Sequence, residues 1–275
     1  MTEKEYNEHP GVRRSDLWKI SESPEKYLYA VQHPIEPTPA MQFGSATHKY
    51  ILEPDGFSEE YAVVPEGIDR RTKAGKEMWD EFCIKTAGKT VISAEDFSTI
   101  KEMRNALVDN PIARKLICGK GKTEIPFFWK DKDTSEICKV KLDRLIRIDR
   151  RFVVVDYKTA LSAQTDKFCH NMISLGYHLQ AAMYTEGVMK SKKLKYRPDF
   201  IFVVQEKKEP YSVNVIYVPY ESSVMQYGYD TFRELLGTLH QCKQTGYFYG
   251  YTGAFGEMSE AYLPGYISLL DGDDS

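Results

Sequence analysis

The sequence predicts an α/β (α+β) protein in which helices flank a central mixed β-sheet. Helix starts and helical spacings fill residues 1–115, strand-like segments rich in β-branched and aromatic residues follow, and later strands alternate with helices. This order favours a sheet covered by helices. We expect a single domain made of a mainly helical part over 1–115, a sheet core with flanking helices over 116–265 and a tail over 266–275.

Helix-start residues mark the N-terminal part of the chain. Ser-Asp at 15–16 and Ser-Pro at 23–24 are each followed by a helical pattern. A third helix is expected to follow Gly44 and to stop before Pro54. Two more helices are expected, over 72–86 and 93–109.

Strand patterns take over in the second half, and Pro111 is expected to end the helical region before them. The first three strands are TEIPFFWK, CKVKLDRLIRI and FVVVDYKT, separated by charged turns. A helix over 170–189, the strands DFIFVVQ and YSVNVIYV and a last helix over 221–243 complete the pattern.

The second and third of these strands predict a hairpin. The segments 139–148 and 151–158 are separated only by Asp149 and Arg150, although neither is the glycine that two-residue turns prefer. With residue 148 opposite residue 151, Asp143 lies opposite Asp156, and the Cβ atoms of such a pair are about 4.5–5.5 Å apart. A bulge or a longer loop would shift this register by one residue.

Charge and composition set limits on the class of protein. The 275 residues are 42% hydrophobic and 28% charged, and the net charge of −3 indicates no overall attraction to nucleic acid. No run approaches the roughly 20 apolar residues of a membrane span, and the start of the sequence lacks the pattern of a signal peptide. We expect a cytoplasmic protein without a membrane partner.

The five cysteines are odd in number and widely spaced, and no two form a CxxC pair. This pattern favours free thiols in a reducing compartment. The cysteines are Cys83, Cys118, Cys138, Cys169 and Cys242.

Asp143, Asp156 and Lys158 form the strongest candidate constellation. Asp156 and Lys158 end an apolar strand, two residues apart and therefore on one face of it. Two carboxylates and a lysine suit metal-assisted cleavage of a phosphodiester, since carboxylate oxygens bind Mg²⁺ or Mn²⁺ and the amine can orient a water. An Asp–Lys ion pair that only stabilises the strand is the alternative. Two opposed carboxylates repel, so either a cation bridges them or one carries a proton.

Six motifs follow one another along most of the chain: HPGVRRSDLWKISESPEKY, MQFGSATHKYILEP, RRTKAGK, CKVKLDRL, VDYKTA and YHLQAAMY. Together they resemble the PD-(D/E)XK nucleases, and among them the RecE-type exonucleases (exonuclease VIII), with a more distant similarity to lambda exonuclease. The resemblance implies the PD-(D/E)XK nuclease fold with an N-terminal helical elaboration. It places Asp143, Asp156 and Lys158 at the catalytic centre.

The same resemblance assigns further residues to the site. It implies that His48 is a metal ligand beside Asp143 and Asp156, and that Glu124 contacts a metal, where a core histidine and an exposed strand acid are the alternatives. Gln180 and Tyr184 match a Q-x-x-x-Y motif and share one helix face, so they join the catalytic set. A packing stripe that includes Tyr184 is the alternative there.

Basic residues in RRTKAGK match a motif of the family and are expected to contact DNA, whereas a solvated surface is the alternative. They are Arg70, Arg71, Lys73 and Lys76. The run from Lys190 to Arg197 is left open between the two interpretations.

The implied activity is a Mg²⁺-dependent exodeoxyribonuclease, with Mn²⁺ as a substitute metal, that degrades linear duplex DNA 5′ to 3′ and leaves 3′ overhangs for phage-type recombination. Ring-shaped homo-oligomers and a RecT-like single-strand annealing protein are the implied partners. Relatives with an iron–sulfur cluster hold it through closely spaced C-terminal cysteines, and only Cys242 lies in that region, so no cluster is expected. An endonuclease with the same site and a non-catalytic DNA-binding protein are the alternatives.

Overall fold

The computed structural model describes Met1 and residues 3–261. In chain order the helices are α1 Glu3–Glu8, α2 Arg14–Glu22, α3 Pro24–Gln32, α4 Pro39–Leu52, α5 Phe57–Glu60, α6 Lys73–Lys85, α7 Ala94–Asp109, α8 Pro111–Cys118, α9 Thr165–Ser174, α10 Tyr177–Ser191 and α11 Ser223–Thr245. The strands are β1 Tyr61–Val63, β2 Thr90–Ile92, β3 Gly121–Lys130, β4 Ile137–Ile148, β5 Arg151–Ala160, β6 Asp199–Glu206 and β7 Val213–Val218. The tail over 266–275 lies outside the described residues.

A five-stranded mixed sheet in the order β3-β4-β5-β6-β7 forms the centre of the fold. Only β5 and β6 run parallel within it, and the other neighbours are antiparallel. The connection between the parallel strands passes through α9 and α10, as a parallel crossover requires. The predicted fold class, a mixed sheet flanked by helices, is confirmed.

The two faces of the sheet carry separate hydrophobic cores because neighbouring residues of a strand point to opposite sides. Val154 packs on one face with buried residues of α10 and α11, such as Leu179 and Leu236. Val155 packs on the other face with buried residues of α4, α7 and α8, such as Ile51 and Leu107. The carboxylate-bearing end of β5 therefore lies between two helical layers.

A small parallel sheet of β1 and β2 lies in the N-terminal part, where the sequence predicted only helices. Each strand is three residues long, too short to show an alternating pattern. Ile92 of this sheet packs with Ala46, Phe57 and Ile100 in a third cluster.

The expected helix over 170–189 is wrong as a single element. Gly176 has a φ of 69° and separates α9 from α10, because its left-handed backbone cannot continue the helix. The expectation that Pro111 ends the helical region is wrong as well. Pro111 is the first residue of α8, where its missing N–H costs nothing, and Asn110 caps this helix by accepting from the Ala113 N–H at 3.0 Å.

Two helices begin earlier than expected. The helix predicted to follow Gly44 begins at Pro39, and the Thr38 hydroxyl caps it by accepting from the Met41 N–H at 3.3 Å. The helix predicted from 15–16 begins at Arg14, and Asp16 accepts from the Arg13 N–H at 2.8 Å. Both cases reflect side-chain caps, which decide a helix start more than its apolar pattern does.

Lys139 fixes the N-terminal segment against the sheet. Its side chain is buried, and Nζ donates to the carbonyl oxygens of Tyr6 at 2.7 Å and Asn7 at 3.2 Å, and to that of His9. Val12 forms a backbone bridge with Cys138 beside it. The buried ammonium is thus satisfied by the end of α1, which places Tyr6 at the edge of the site described below.

Among the described residues, no helix combines the length and the apolar character that crossing a membrane requires.

Candidate metal and catalytic site

The predicted hairpin is confirmed at its turn. Ile148 pairs with Arg151, and the antiparallel register continues without a shift to the pair of Arg144 with Val155. Asp149 and Arg150 have φ values of 45° and 67°. Two successive positive φ angles are what a type I′ turn requires, so the turn forms without glycine at a cost in local strain.

The ladder opens where the carboxylates begin. Asp143 and Asp156 are opposite each other by residue number, but the pairing of β4 with β5 ends at the preceding pair, Arg144 with Val155. The Tyr157 N–H donates instead to the Asp143 carboxylate, at 2.7 Å from Oδ2. Leu142 and Leu145 both belong to the same core, so the alternation of β4 breaks once between them. The two carboxylates therefore lie at an irregularity of the sheet.

Glu124 lies at the matching irregularity on the other side of β4. The pairing of β3 with β4 omits Glu124 and Asp143 while keeping its register on both sides of them. Glu124 has a φ of 48°, which is unusual for a residue other than glycine within a strand. Such strain costs on the order of 1–3 kcal/mol and persists at functional sites.

His48, Glu124 and Asp143 form a candidate metal centre, since each offers a ligand atom within 4.8 Å of the other two. His48 Nε2 lies 2.8 Å from Asp143 Oδ2, and His48 Nδ1 lies 3.9 Å from Glu124 Oε1. The second Glu124 oxygen lies 2.6 Å from Lys141 Nζ. The elements α4, β3 and β4 thus each contribute one potential ligand, and metal binding by His48 and Glu124 stays a prediction.

The ionisation of this group reflects burial and mutual charge. Burial lowers the pKa of His48, but the charge and the hydrogen bond of Asp143 more than offset it and hold that pKa above its usual value. For Asp143, burial raises the pKa, and the charge and hydrogen bond of His48 reverse the effect, so that its pKa is lowered. Burial raises the pKa of Glu124 despite the opposing charge of Lys141. His48 and Asp143 therefore each favour the charged form of the other.

Asp156 lies beside this group but has other partners. Gln180 Nε2 donates to Asp156 Oδ1 at 2.5 Å, and Lys158 Nζ lies 2.6 Å from Oδ2. Burial and the charge of Asp143 raise the pKa of Asp156 to about 6. Asp156 and Lys158 share a face of β5, as predicted.

The donor set fits a divalent cation. Gln180 Oε1 is buried and accepts no hydrogen bond among the described residues, whereas the buried Asp156 Oδ2 has the Lys158 ammonium 2.6 Å away. A buried oxygen without a hydrogen-bond partner is costly unless a ligand satisfies it. Carboxylate oxygens and one imidazole suit Mg²⁺ or Mn²⁺.

Tyr184 takes part both in packing and in the site. It packs, together with Tyr177, against the core on the α10 face of the sheet. This packing is the alternative role considered from the sequence. Tyr184 also lines a pocket that contains Asp143, and burial together with the charges of Asp156 and Asp143 raises its pKa. Tyr177 lies under Lys158, with Nζ 5.0 Å from the ring centroid.

Two adjoining cavities open onto the candidate metal ligands. The main cleft, about 940 Å³, lies between α4 and the sheet and is lined by Lys158, Tyr177 and Glu53 among others. The side pocket, about 320 Å³, contains Asp143 and Tyr184. Both are lined by His48, Glu124, Lys141 and Tyr6. The ligand group therefore separates two spaces that a substrate can occupy.

The four basic residues expected to contact DNA are not gathered at this site. Arg70 lies over the Trp79 ring at 4.6 Å, Arg71 pairs with Asp69 at 2.9 Å, and the Lys73 side chain is 94% exposed. Neither cavity includes them or Lys76 in its lining. Their DNA contact stays a prediction.

Other cationic residues at the site were not singled out from the sequence. Arg13, Arg14 and Ser15 line the side pocket from the start of α2. Two adjacent arginines at the start of a helix were a visible signal, because helix N-termini and guanidinium groups both favour phosphate. Lys141 pairs with Glu124 at 2.6 Å.

Comparisons with known proteins agree with this architecture. A family model described as "PDDEXK-like domain of unknown function (DUF3799)" matches residues 14–255. The crystal structure of a Eubacterium rectale protein named "Putative exonuclease" is 12% identical with a TM-score of 0.59, and the match covers 98% of this chain and 96% of that chain.

A second crystal structure, of SSO0001, is 13% identical with a TM-score of 0.31, and the match covers 70% of this chain and 85% of that chain. That TM-score is too low to support an argument. No curated protein matches the chain. The family match spans most of the sequence and includes every candidate ligand, and so the chain belongs to the DUF3799 family of PDDEXK-like domains, within the PD-(D/E)XK nuclease superfamily.

Proposed function

We propose that this protein is a RecE-type exodeoxyribonuclease that uses Mg²⁺, or Mn²⁺ in its place, to hydrolyse phosphodiester bonds of linear duplex DNA. One observation carries the proposal. The potential ligands His48, Glu124 and Asp143 meet where the sheet is irregular, directly beside the ion pair of the buried Asp156 with Lys158.

The proposed chemistry divides among groups that the fold already holds in place. A divalent cation bound by His48, Asp143 and the neighbouring carboxylates would polarise a phosphoryl oxygen and lower the pKa of a water. Lys158 is close enough to orient the attacking water and to offset negative charge that develops on the phosphate. Gln180 holds Asp156 by its hydrogen bond, and the ring of Tyr177 supports the Lys158 ammonium.

Lys158 is suited to this role by its exposure. Its side chain is 18% exposed and lines the main cleft, whereas the Asp156 side chain is 1% exposed. The amine can therefore reach a phosphate in the cleft while its partner remains within the core. A purely structural ion pair would not need a cavity above the amine.

Comparing linear with covalently closed circular duplex DNA in Mg²⁺ tests the exonuclease assignment. We expect the linear DNA to be degraded and the closed circle to persist, with EDTA abolishing degradation. Rapid loss of the circle would assign the site to an endonuclease. Loss of neither substrate, under conditions in which DNA still binds, would indicate a non-catalytic DNA-binding protein.

The polarity that we propose is 5′ to 3′, leaving 3′ overhangs for phage-type recombination. The side pocket supports it, since Arg13 and Arg14 place positive charge next to Asp143 and can bind a terminal phosphate. Duplexes labelled at either end, with a 5′ phosphate or a 5′ hydroxyl, provide the test. We expect release from the 5′ end and a preference for the phosphate that Arg14→Ala reduces.

We also propose that the protein acts in the cytoplasm as a ring-shaped homo-oligomer with a RecT-like single-strand annealing protein. Both proposals rest on the resemblance to RecE-type enzymes. The mass of the assembly in solution tests the ring, and co-purification with the annealing protein tests the partnership. A monomeric active enzyme would rule out the ring.

A further inference from the structure

The end of the sheet opposite the carboxylates carries a concentrated positive charge. The segments 147–151 and 190–197 together contain eight basic residues and one acidic residue, whereas the whole chain has a net charge of −3. The first segment is the β4–β5 turn with its flanking residues, and the second follows the end of α10. We call this surface the turn-end face.

Direct contacts join the two segments into one surface. The Phe152 N–H donates to the Tyr196 hydroxyl at 3.2 Å, and Arg151 Nη2 donates to the Arg197 carbonyl oxygen at 3.3 Å. Lys192 Nζ lies 5.1 Å from the centroid of the Phe152 ring. The charges of the two segments therefore act together on a ligand.

Most of this charge has no acidic partner. Glu186 pairs with Lys190 at 3.5 Å and with Arg197 at 3.0 Å. Within the described part of the chain, six other basic side chains of the face have no ion pair: Arg147, Arg150, Arg151, Lys192, Lys193 and Lys195. All but Arg151 are exposed. Like charges held this close are unfavourable unless a polyanion binds them.

Aromatic rings hold some of these cations in fixed positions. The Arg151 guanidinium lies 4.4 Å from the Tyr196 ring centroid and 4.9 Å from that of Tyr220. The Arg147 guanidinium lies 4.4 Å from the ring of Phe152, its partner across the hairpin. Stacking leaves guanidinium N–H groups free for phosphate oxygens and reduces the entropy lost on binding.

The turn-end face lies at a defined distance from the site. From Asp156 to Arg151 along β5 is five residues, or about 16 Å. From Gln180 to Ser191 along α10 is eleven residues, or again about 16 Å. A nucleic-acid strand advances 3.4 Å per nucleotide, so this separation corresponds to about five nucleotides.

We propose that the turn-end face binds the phosphate backbone of DNA about five nucleotides from the bond that is cleaved. The inference rests on the proposed function, because it requires the polymer in the cleft to be a nucleic acid. Nucleic acid is favoured over an acidic protein because the face lies about 16 Å from the site, a separation that a strand bound in the cleft spans in about five nucleotides.

A triple variant removes charge from the face with substitutions that suit its backbone conformation. Arg150→Gly and Lys193→Asn suit positions whose φ values are 67° and 52°, and Lys195→Gln is an exposed substitution. The matched control removes three exposed lysines of α6, α7 and α8 by Lys85→Gln, Lys101→Gln and Lys115→Gln.

The measurement is equilibrium binding in EDTA to two labelled DNAs, a duplex of about 20 base pairs and a blunt hairpin with a stem of about four. For the triple variant, we expect affinity for the long duplex to fall roughly tenfold and the slope of log K against log salt to decrease by about 2–3. The hairpin, which ends before the face, should bind the triple variant, the control variant and the wild type equally.

Two results would overturn the inference. An affinity for the long duplex equal to that of the wild type, or an equal loss on both DNAs, would show that the face does not contact the distal strand. Unchanged DNA binding with loss of binding to polyglutamate would assign the face to an acidic protein instead. If the wild type neither binds nor cleaves any DNA, the proposed function itself fails. If the wild type does both, and the triple variant binds the long duplex as tightly as the wild type, this inference alone fails.

Discussion

The two ends of the β4–β5 hairpin differ in regularity and in what their residues do. At the turn, positive φ angles at Asp149 and Arg150 are the ordinary requirement of a two-residue loop, and the ladder beside them is complete. At the other end, the ladder opens at Asp143, and Glu124 has a positive φ within a strand. No turn explains the second irregularity.

The difference shows how a strand can present several carboxylates at one point. A regular sheet would direct successive side chains to opposite faces and bury some of these groups in an apolar core. The break in alternation between Leu142 and Leu145 instead brings Asp143 toward His48 and Glu124. The strain stored there is expected to be offset when a cation is bound.

The largest expected effect concerns the open end, at Lys158. We expect Lys158→Ala to reduce single-turnover cleavage of linear DNA about 10²–10⁴-fold at saturating Mg²⁺, because the amine acts on the attacking water. Folding should persist, as judged by circular dichroism and thermal unfolding. The control is Lys132→Ala, whose side chain is 77% exposed. Wild-type turnover by Lys158→Ala would refute the role of the amine.

The next effect is on metal affinity. Removal of one ligand by His48→Ala should weaken Mn²⁺ binding by about tenfold or more, and activity should recover in part at high metal concentration. Calorimetric titration measures the affinity. His33→Ala serves as the control, because His33 is exposed and its ring contacts Tyr29, at 4.2 Å between centroids. An unchanged titration for His48→Ala would return His48 to a packing role.

Metal affinity should also depend on pH through His48. Asp143 holds the pKa of His48 above 6.5, and only the neutral imidazole binds a metal, so Mn²⁺ affinity should rise as the pH rises through that pKa. The folding stability of the metal-free protein should change in the opposite direction with pH. The stabilisation from protonated His48 is fully present below pH 6.5 and is lost as the pH rises through the raised pKa.

Calorimetry in buffers of different ionisation enthalpy detects the proton that metal binding releases. In His48→Ala the proton release that titrates above pH 6.5 should vanish. The proton release that titrates near pH 6, from Asp156, should remain. Affinity that is flat between about pH 6 and 8 in the wild type would contradict the assignment of His48 as a ligand.

The smallest expected effect concerns backbone strain at the two ends of the β4–β5 hairpin. Glu124→Gly should raise the free energy of unfolding of the metal-free protein by about 1 kcal/mol, since it relieves a positive φ, and it should weaken Mn²⁺ binding. Arg150→Gly should stabilise the protein by a similar or smaller amount without changing Mn²⁺ affinity.

Glu124→Gln separates strain from charge, because it removes the carboxylate but keeps the Cβ atom. We expect this variant to lose metal affinity while gaining less stability than Glu124→Gly gains. Chemical denaturation in EDTA measures all three variants. If Glu124→Gly is strongly destabilised, the strained backbone at Glu124 has a structural purpose and not a functional one.

The regular features were predictable because local patterns determine them. Segments rich in β-branched and aromatic residues identified β3 to β7, and the two residues between β4 and β5 determined the register through Arg144 and Val155. The break at Asp143 was not predictable, since counting opposed residues assumes that alternation continues. The turn at Gly176 was missed because apolar residues continue on both sides of it, whereas Thr38 followed by Pro39 was a visible helix start that was not used.

Motif spacing predicted which residue types form the site, but not their partners. Gln180 was expected beside the carboxylates, and its hydrogen bond to Asp156 agrees. The motif RRTKAGK carries charge that the fold leaves outside both cavities, whereas Arg13 and Arg14 reach the side pocket through the placement of α2. Contacts between distant segments of this kind depend on tertiary packing.

A crystal structure with Mn²⁺, using anomalous scattering to locate the ion, tests the central claim most directly. We predict a Mn²⁺ ion at the open end of the hairpin, within about 2.6 Å of an Asp143 oxygen and of an Asp156 oxygen, with His48 as a further ligand. A Mn²⁺ ion bound elsewhere, or no anomalous peak beside Asp143 at saturating Mn²⁺, would contradict the account.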